Sequence, residues 1–127
     1  MDNSTYQARV AEWMLTCFGA EITNSLEERC LRFFEESAEL CQALGMTEAQ
    51  ARDLVAYTWS REKGEPAQEV GGVMVTLAAA CHAAGLDMVA DGETELARIN
   101  TPETIDQIRR KHHAKTLRTT HSALPER

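Results

Sequence analysis

Three prolines and seven glycines in 127 residues are too few for a loop-rich all-β fold. No stretch approaches the roughly 18 consecutive apolar residues of a membrane span. The opening "MDNSTYQARVAEW" lacks the basic-then-apolar pattern of a secretory signal. The four cysteines, Cys17, Cys30, Cys41 and Cys81, include no CxxC pair, and each sits among helix-forming residues. Without a secretory context they predict reduced, mostly buried thiols in a cytoplasmic protein. Positive charge is scarce as well: 13 Lys and Arg against 20 Asp and Glu leave a net charge of −7, which disfavours a nucleic-acid backbone as the main partner. Arg109, Arg110, Lys111, Lys115 and Arg118 nevertheless crowd the C-terminal fifth, as a solvated helix face or a phosphate contact. There is no internal repeat and no low-complexity linker, so the expectation is one domain over residues 1–118 with a flexible tail at 119–127.

Helical periodicity is what the chain has in abundance. Val10, Trp13, Met14, Cys17 and Phe18, spaced three and four apart, predict a first helix over about residues 4–18. Ser25 with Glu28 forms a capping box that opens a second helix, running to about Leu44 and stopping at Gly45. Thr47 and Gln50 open a third, to about residue 61. After the polar "SREKGEPAQ", Pro66 suits the first turn of a fourth helix ending at Gly85. Asp87 caps a short helix through Ile99, and Thr101-Pro102 opens a last one to about Lys115. The expected fold is an all-α, compact bundle of about four to six helices. The fourth helix is apolar over most of its circumference and should be the most buried. So short a chain has few helices to cover it, which predicts a homodimer or a dimer of dimers.

Within "RFFEESAELCQALG" (32–45), Glu36 and Glu39 lie side by side, away from the stripe of Leu26, Cys30, Phe33, Phe34, Leu40, Cys41 and Leu44. As the wet side of an amphipathic helix they need no further role, and Arg32 is placed to pair with Glu36 four residues on. Glu69 opens a second reading, being the one charged residue between Pro66 and Asp87. A lone carboxylate on an apolar helix is costly without a partner or a cation, unless it complements the helix dipole in the first turn. If the second and fourth helices pack antiparallel, Glu69 can face Glu36 and Glu39. Each pair would repel by about 1 kcal/mol in water and roughly 4 at an effective dielectric of 20. Oxygen-only carboxylate clusters of this kind are what Mg²⁺ or Mn²⁺ requires.

The order "EESAE", a third helix, a polar loop, then "EVGGVMVTLAAACHAAGLD" resembles the all-α nucleoside triphosphate pyrophosphohydrolases of the MazG-like superfamily over about residues 26–100. The fuller wording is most similar to small phage and prophage members. The resemblance implies hydrolysis of a (d)NTP between the α and β phosphates, giving the monophosphate and pyrophosphate, in nucleotide-pool control or house-cleaning. It implies Mg²⁺, with Mn²⁺ possible, held by Glu36, Glu39 and Glu69. Glu35 or Glu36 would orient the attacking water. The fourth ligand of the family pattern falls on Gly72, which has no side chain to offer. Three accounts are open: three carboxylates completed by water, a substitute such as Glu65 or Glu62, or a catalytically degenerate helical dimer that binds a nucleotide or a protein partner. Asp87 is a poor substitute, about 27 Å from Glu69 along a straight helix.

Gly71 and Gly72 each cost a helix interior about 0.8–1 kcal/mol against alanine, which close helix packing or room for a substrate group would explain. Positive charge for phosphates would come from Arg61, Lys63, Arg98 or the basic last helix. Trp59, Tyr57 and Phe33 are core aromatics or base-stacking platforms. His82, His112, His113 and His121 have no metal-ligand spacing.

Overall fold

The computed structural model describes residues 4–121, with side chains through Ala114. Those residues form six helices and no strand: α1 Tyr6–Thr23, α2 Leu26–Ala43, α3 Glu48–Trp59, α4 Pro66–Ala84, α5 Met88–Ile99 and α6 Pro102–His121. The expected all-α fold is present. The last helix runs past Lys115 to His121, and residues 122–127 of the expected flexible tail lie outside the described residues. No single helix among the described residues is long and apolar enough to cross a membrane.

Local signals account for most helix ends. Thr5 caps α1 by accepting from the Ala8 N–H at 3.1 Å. Thr47 and Gln50 form the reciprocal capping box of α3, at 2.9 and 3.2 Å. Asp87 Oδ1 accepts from the N–H groups of Val89 and Ala90 at the start of α5, and Thr101 Oγ1 accepts from Thr104 N–H in α6. Gly85 closes α4 at φ 71°, a left-handed conformation that costs glycine little. Gly19, at φ 78°, breaks α1 from within, and helix resumes to Thr23. The apolar spacing that ends at Phe18 therefore stops at a real kink.

Backbone contacts divide the chain into two units, Met1–Ser25 with Gly92–Arg127, and Leu26–Asp91. The first is joined by directional bonds. Trp13 donates its indole N–H to the Ile99 carbonyl at 3.1 Å, and Tyr6 donates to the Gly92 carbonyl at 2.9 Å. The Arg9 guanidinium grips both Glu93 carboxylate oxygens at 2.7 and 2.6 Å. α1 lies against α6, where Phe18 meets His112 edge-on at 5.3 Å and Arg109 donates to the Thr16 carbonyl that the kink leaves open. Cys17 and Leu96 are buried here.

In the second unit α2 and α3 meet through Phe34 and Trp59, edge to face at 6.4 Å. Every residue of α4 from Pro66 through Thr76 is exposed, and Cys81 is the unit's one buried residue. The expectation that this helix is the most buried does not hold in the single chain. Hydropathy reports that a surface favours cover, and the unit's other helices do not supply it. Cys30, too, is exposed rather than buried.

The Arg9 hydrogen bonds hold the Glu93 carboxyl below the usual glutamate value of 4.5. A carboxylate depressed by folding contributes stability above its unfolded value, and that contribution disappears as pH falls through the folded one. Thermal melts of Glu93→Gln should accordingly show a lower Tm than the parent at neutral pH. The two should converge as the pH is lowered below 4.5.

Candidate functional site

The acidic motif lies on the exposed side of α2. With about 100° per residue, Phe34, Ala38 and Cys41 share the face toward α3, and Glu36 and Glu39 lie about 60° apart on the far side. Between these faces run Leu26, Phe33, Leu40 and Leu44, of which only Leu40 is half-buried. Glu36 therefore borders an apolar stripe that the chain leaves largely uncovered, and Glu39 lies about 60° further from it.

Arg32 does not pair with Glu36 as its i, i+4 spacing suggested. Its Nη1 donates to Glu35 Oε1 at 3.1 Å, and its Nε lies 3.7 Å from Glu28. An arginine flanked by several glutamates one turn away selects by rotamer, and here the more N-terminal partners win. Glu36 and Glu39 are exposed and in no ion pair among the described residues. Adjacent like charges on a helix repel modestly, and a cation would relieve that repulsion.

Glu69 sits in the first turn of α4, with its N–H donating to the Glu65 carbonyl at 2.9 Å. Its side chain folds back over the preceding loop. A Cβ on Gly64 would collide with Glu69 Oε1 and lie 3.2 Å from its Cδ, so glycine at 64 makes room for the carboxylate. That placement suits an acid complementing the helix N-terminus. No three acidic, histidine or cysteine side chains gather to hold a metal among the described residues. The three glutamates thus have the hard-oxygen chemistry that Mg²⁺ takes, but the single chain does not bring Glu69 to Glu36 and Glu39. Gly72 has nothing within 4 Å of where a Cβ would stand, so an added side chain meets open space there. Glu62 and Glu65 are both exposed.

The proposed phosphate ligands differ in how free they are. The Arg61 guanidinium stacks over the Tyr57 ring at 5.2 Å, and Lys63 stands exposed in the same loop. Arg98 is held by Glu95 through two bonds of 2.7 Å, which lower the Glu95 carboxyl and raise the guanidinium. In the basic helix, Arg110 pairs with Asp106 at 2.6 Å and Arg109 serves the Thr16 carbonyl, whereas Lys111 is exposed. The side chains of Lys115 and Arg118 lie outside the described residues.

Periodicity did not reveal a groove of about 590 Å³ between α2 and α3, whose walls include Phe34, Ala38, Cys41, Leu54, Val55 and Trp59. The row Ala51, Leu54, Val55 and Thr58 on α3 was its available signal. Trp59, 72% exposed, stands at its edge, and Tyr57 and Phe33 are exposed as well, so none of the three aromatics is core in the single chain. In the other unit, burial pushes the Cys17 thiol up, which keeps it protonated and unreactive despite nearby Arg109. No family model, curated protein or solved structure matches the chain, so its function is argued from these residues and their geometry.

Proposed function

We propose that the protein is a metal-dependent nucleotide pyrophosphohydrolase of MazG-like type, cleaving a (d)NTP to the (d)NMP and pyrophosphate and working as a homodimer or dimer of dimers. The observation that carries this reading is the pair Glu36 and Glu39, exposed and unpaired on α2. Glu69 supports it by opening α4 one helix and one polar loop later.

Glu36 and Glu39 supply adjacent oxygen donors for Mg²⁺ or Mn²⁺. Glu69 is the third donor and must leave its position over Gly64 to join them. An ion held there would neutralise phosphate charge and lower the pKa of a water. Glu35 is pinned through Oε1 by Arg32, which leaves Oε2 to orient a water or a ligand. Lys63, exposed in the loop before α4, is the freest of the proposed phosphate contacts, and Arg61 lies two residues before it. The competing reading is a catalytically degenerate helical dimer that binds a nucleotide or a protein partner. Gly72, which offers no fourth ligand, and the separation of Glu69 from the acids of α2 favour it.

Pyrophosphate release across canonical and modified nucleotides, with Mg²⁺ and with Mn²⁺, separates the two, since binding without turnover belongs to the degenerate protein. Glu39→Gln should lower Mg²⁺-dependent release at least tenfold, roughly the effect of a damaged ligand shell. Without metal its melting temperature should hold or rise slightly, because the repulsion with Glu36 is relieved. Unchanged turnover would return these carboxylates to a solvated face.

Gly72→Asp adds a side chain where the structure has open space, and should tighten metal binding if the site lacks only its fourth ligand. Calorimetric titration with Mn²⁺ reads this directly. A parent protein that millimolar metal does not stabilise, with or without nucleotide, would leave the degenerate reading standing.

A further inference from the structure

The basic residues of α6 are not one patch. At i, i+3 and i+4, Arg109, His112 and His113 share a face of the helix. Arg110 and Lys111 lie outside it, and Arg110 is neutralised by Asp106. The shared face and the end of α1, both in the first unit, border a cavity of about 550 Å³. Leu15, Cys17 and Phe18 wall it on the α1 side.

No carboxylate lines this cavity, in a chain with a net charge of −7. Burial keeps the Cys17 thiol protonated, so that wall is neutral. Arg109 carries the positive charge uncompensated. Arg9, Arg98 and Arg110 of the same unit each pair with a carboxylate, and Arg109 has none among the described residues. Its Nε and Nη2 both donate to the Thr16 carbonyl beside the α1 kink. Those bonds fix the guanidinium and leave Nη1 without one among the described residues. His112 is held as well, edge-on to Phe18.

We propose that this cavity binds a phosphate monoester, with the phosphate on Arg109, His112 and His113 and the organic group against Leu15 and Phe18. Arginine presents the fork that phosphate oxygens accept, and each imidazole offers an N–H even when neutral. Three donor side chains match the three terminal oxygens of a monoester, whereas a carboxylate has two. The volume falls in the range of about 300–1,000 Å³ of small-molecule sites, far more than a bare ion fills. Leu15 and Phe18 make the remaining wall apolar, which selects an ester with an aromatic or aliphatic group over inorganic phosphate.

The site is independent of the hydrolysis proposed above. None of its residues falls within about residues 26–100, the stretch that carries the resemblance, and the acids of α2 and α4 belong to the other unit. Isothermal titration of the full chain with phenyl phosphate and with inorganic phosphate, both in EDTA, tests it. Without metal, glutamates repel a phosphate, so the acidic motif does not take up the probe. Phenyl phosphate should bind, and inorganic phosphate should bind several-fold more weakly. Arg109→Gln should weaken phenyl phosphate about tenfold or more, the loss of one charge-assisted bond. His113, whose side chain is exposed, decides the matter if the arginine variant is unstable. His113→Ala should weaken binding several-fold and leave the melting temperature unchanged. A parent that binds neither probe overturns the proposal, and so does a His113→Ala protein that binds phenyl phosphate as the parent does. Inorganic phosphate binding as tightly as its ester overturns it too, since the apolar wall then plays no part. Binding that these variants weaken, in a protein that releases no pyrophosphate, upholds this cavity and counts only against the hydrolysis. Pyrophosphate release by a protein that binds neither probe does the reverse.

Discussion

The apolar surface of α4 is the constraint that the remaining architecture must satisfy. Burying a single valine or methionine is worth about 1.5–3 kcal/mol, and Val70, Val73, Met74 and Val75 are all exposed in the single chain. They are 41–69% exposed, so covering them is worth roughly half of that for each, a sizeable share of the net stability of a domain, about 5–15 kcal/mol. Glu69 lies in the first turn of the same helix. Seating α4 also places the one carboxylate that opens it.

The two units achieve order by different means. In the first, indole, phenol and guanidinium donors of α1 reach carbonyls and a carboxylate on and around α5, and Arg109 of α6 reaches back to the carbonyl exposed by the α1 kink. Such bonds fix geometry even where little side-chain area is buried. The second unit has an aromatic edge contact and an open groove between α2 and α3.

On α2 a single arginine decides which acids are available. Arg32 could reach several glutamates, and its choice of Glu28 and Glu35 leaves Glu36 and Glu39 as the adjacent, unneutralised pair. The acids that the resemblance names as metal donors are among those the surface ion pairs omit, as is Glu27 of the same helix, whereas Glu35, the neighbouring acid, is tethered at one oxygen. This division of labour needs no burial, only rotamer choice on a helix face.

Helix number, most helix starts and the stops at Gly45 and Gly85 were legible in the residues, because caps, first-turn prolines and left-handed glycines act within one turn of backbone. The acidic pair was legible as well, since i, i+3 spacing fixes a common side of any helix. The kink at Gly19 was visible only as the end of an apolar stripe, and the length of α6 beyond Lys115 carried no stop signal. Only the folded structure showed that Arg32 turns to Glu35, that Glu69 rests over Gly64, and that the first half of α4 is exposed. These depend on side-chain rotamers and on which surfaces meet at long sequence separation. Spacing along one helix encodes neither.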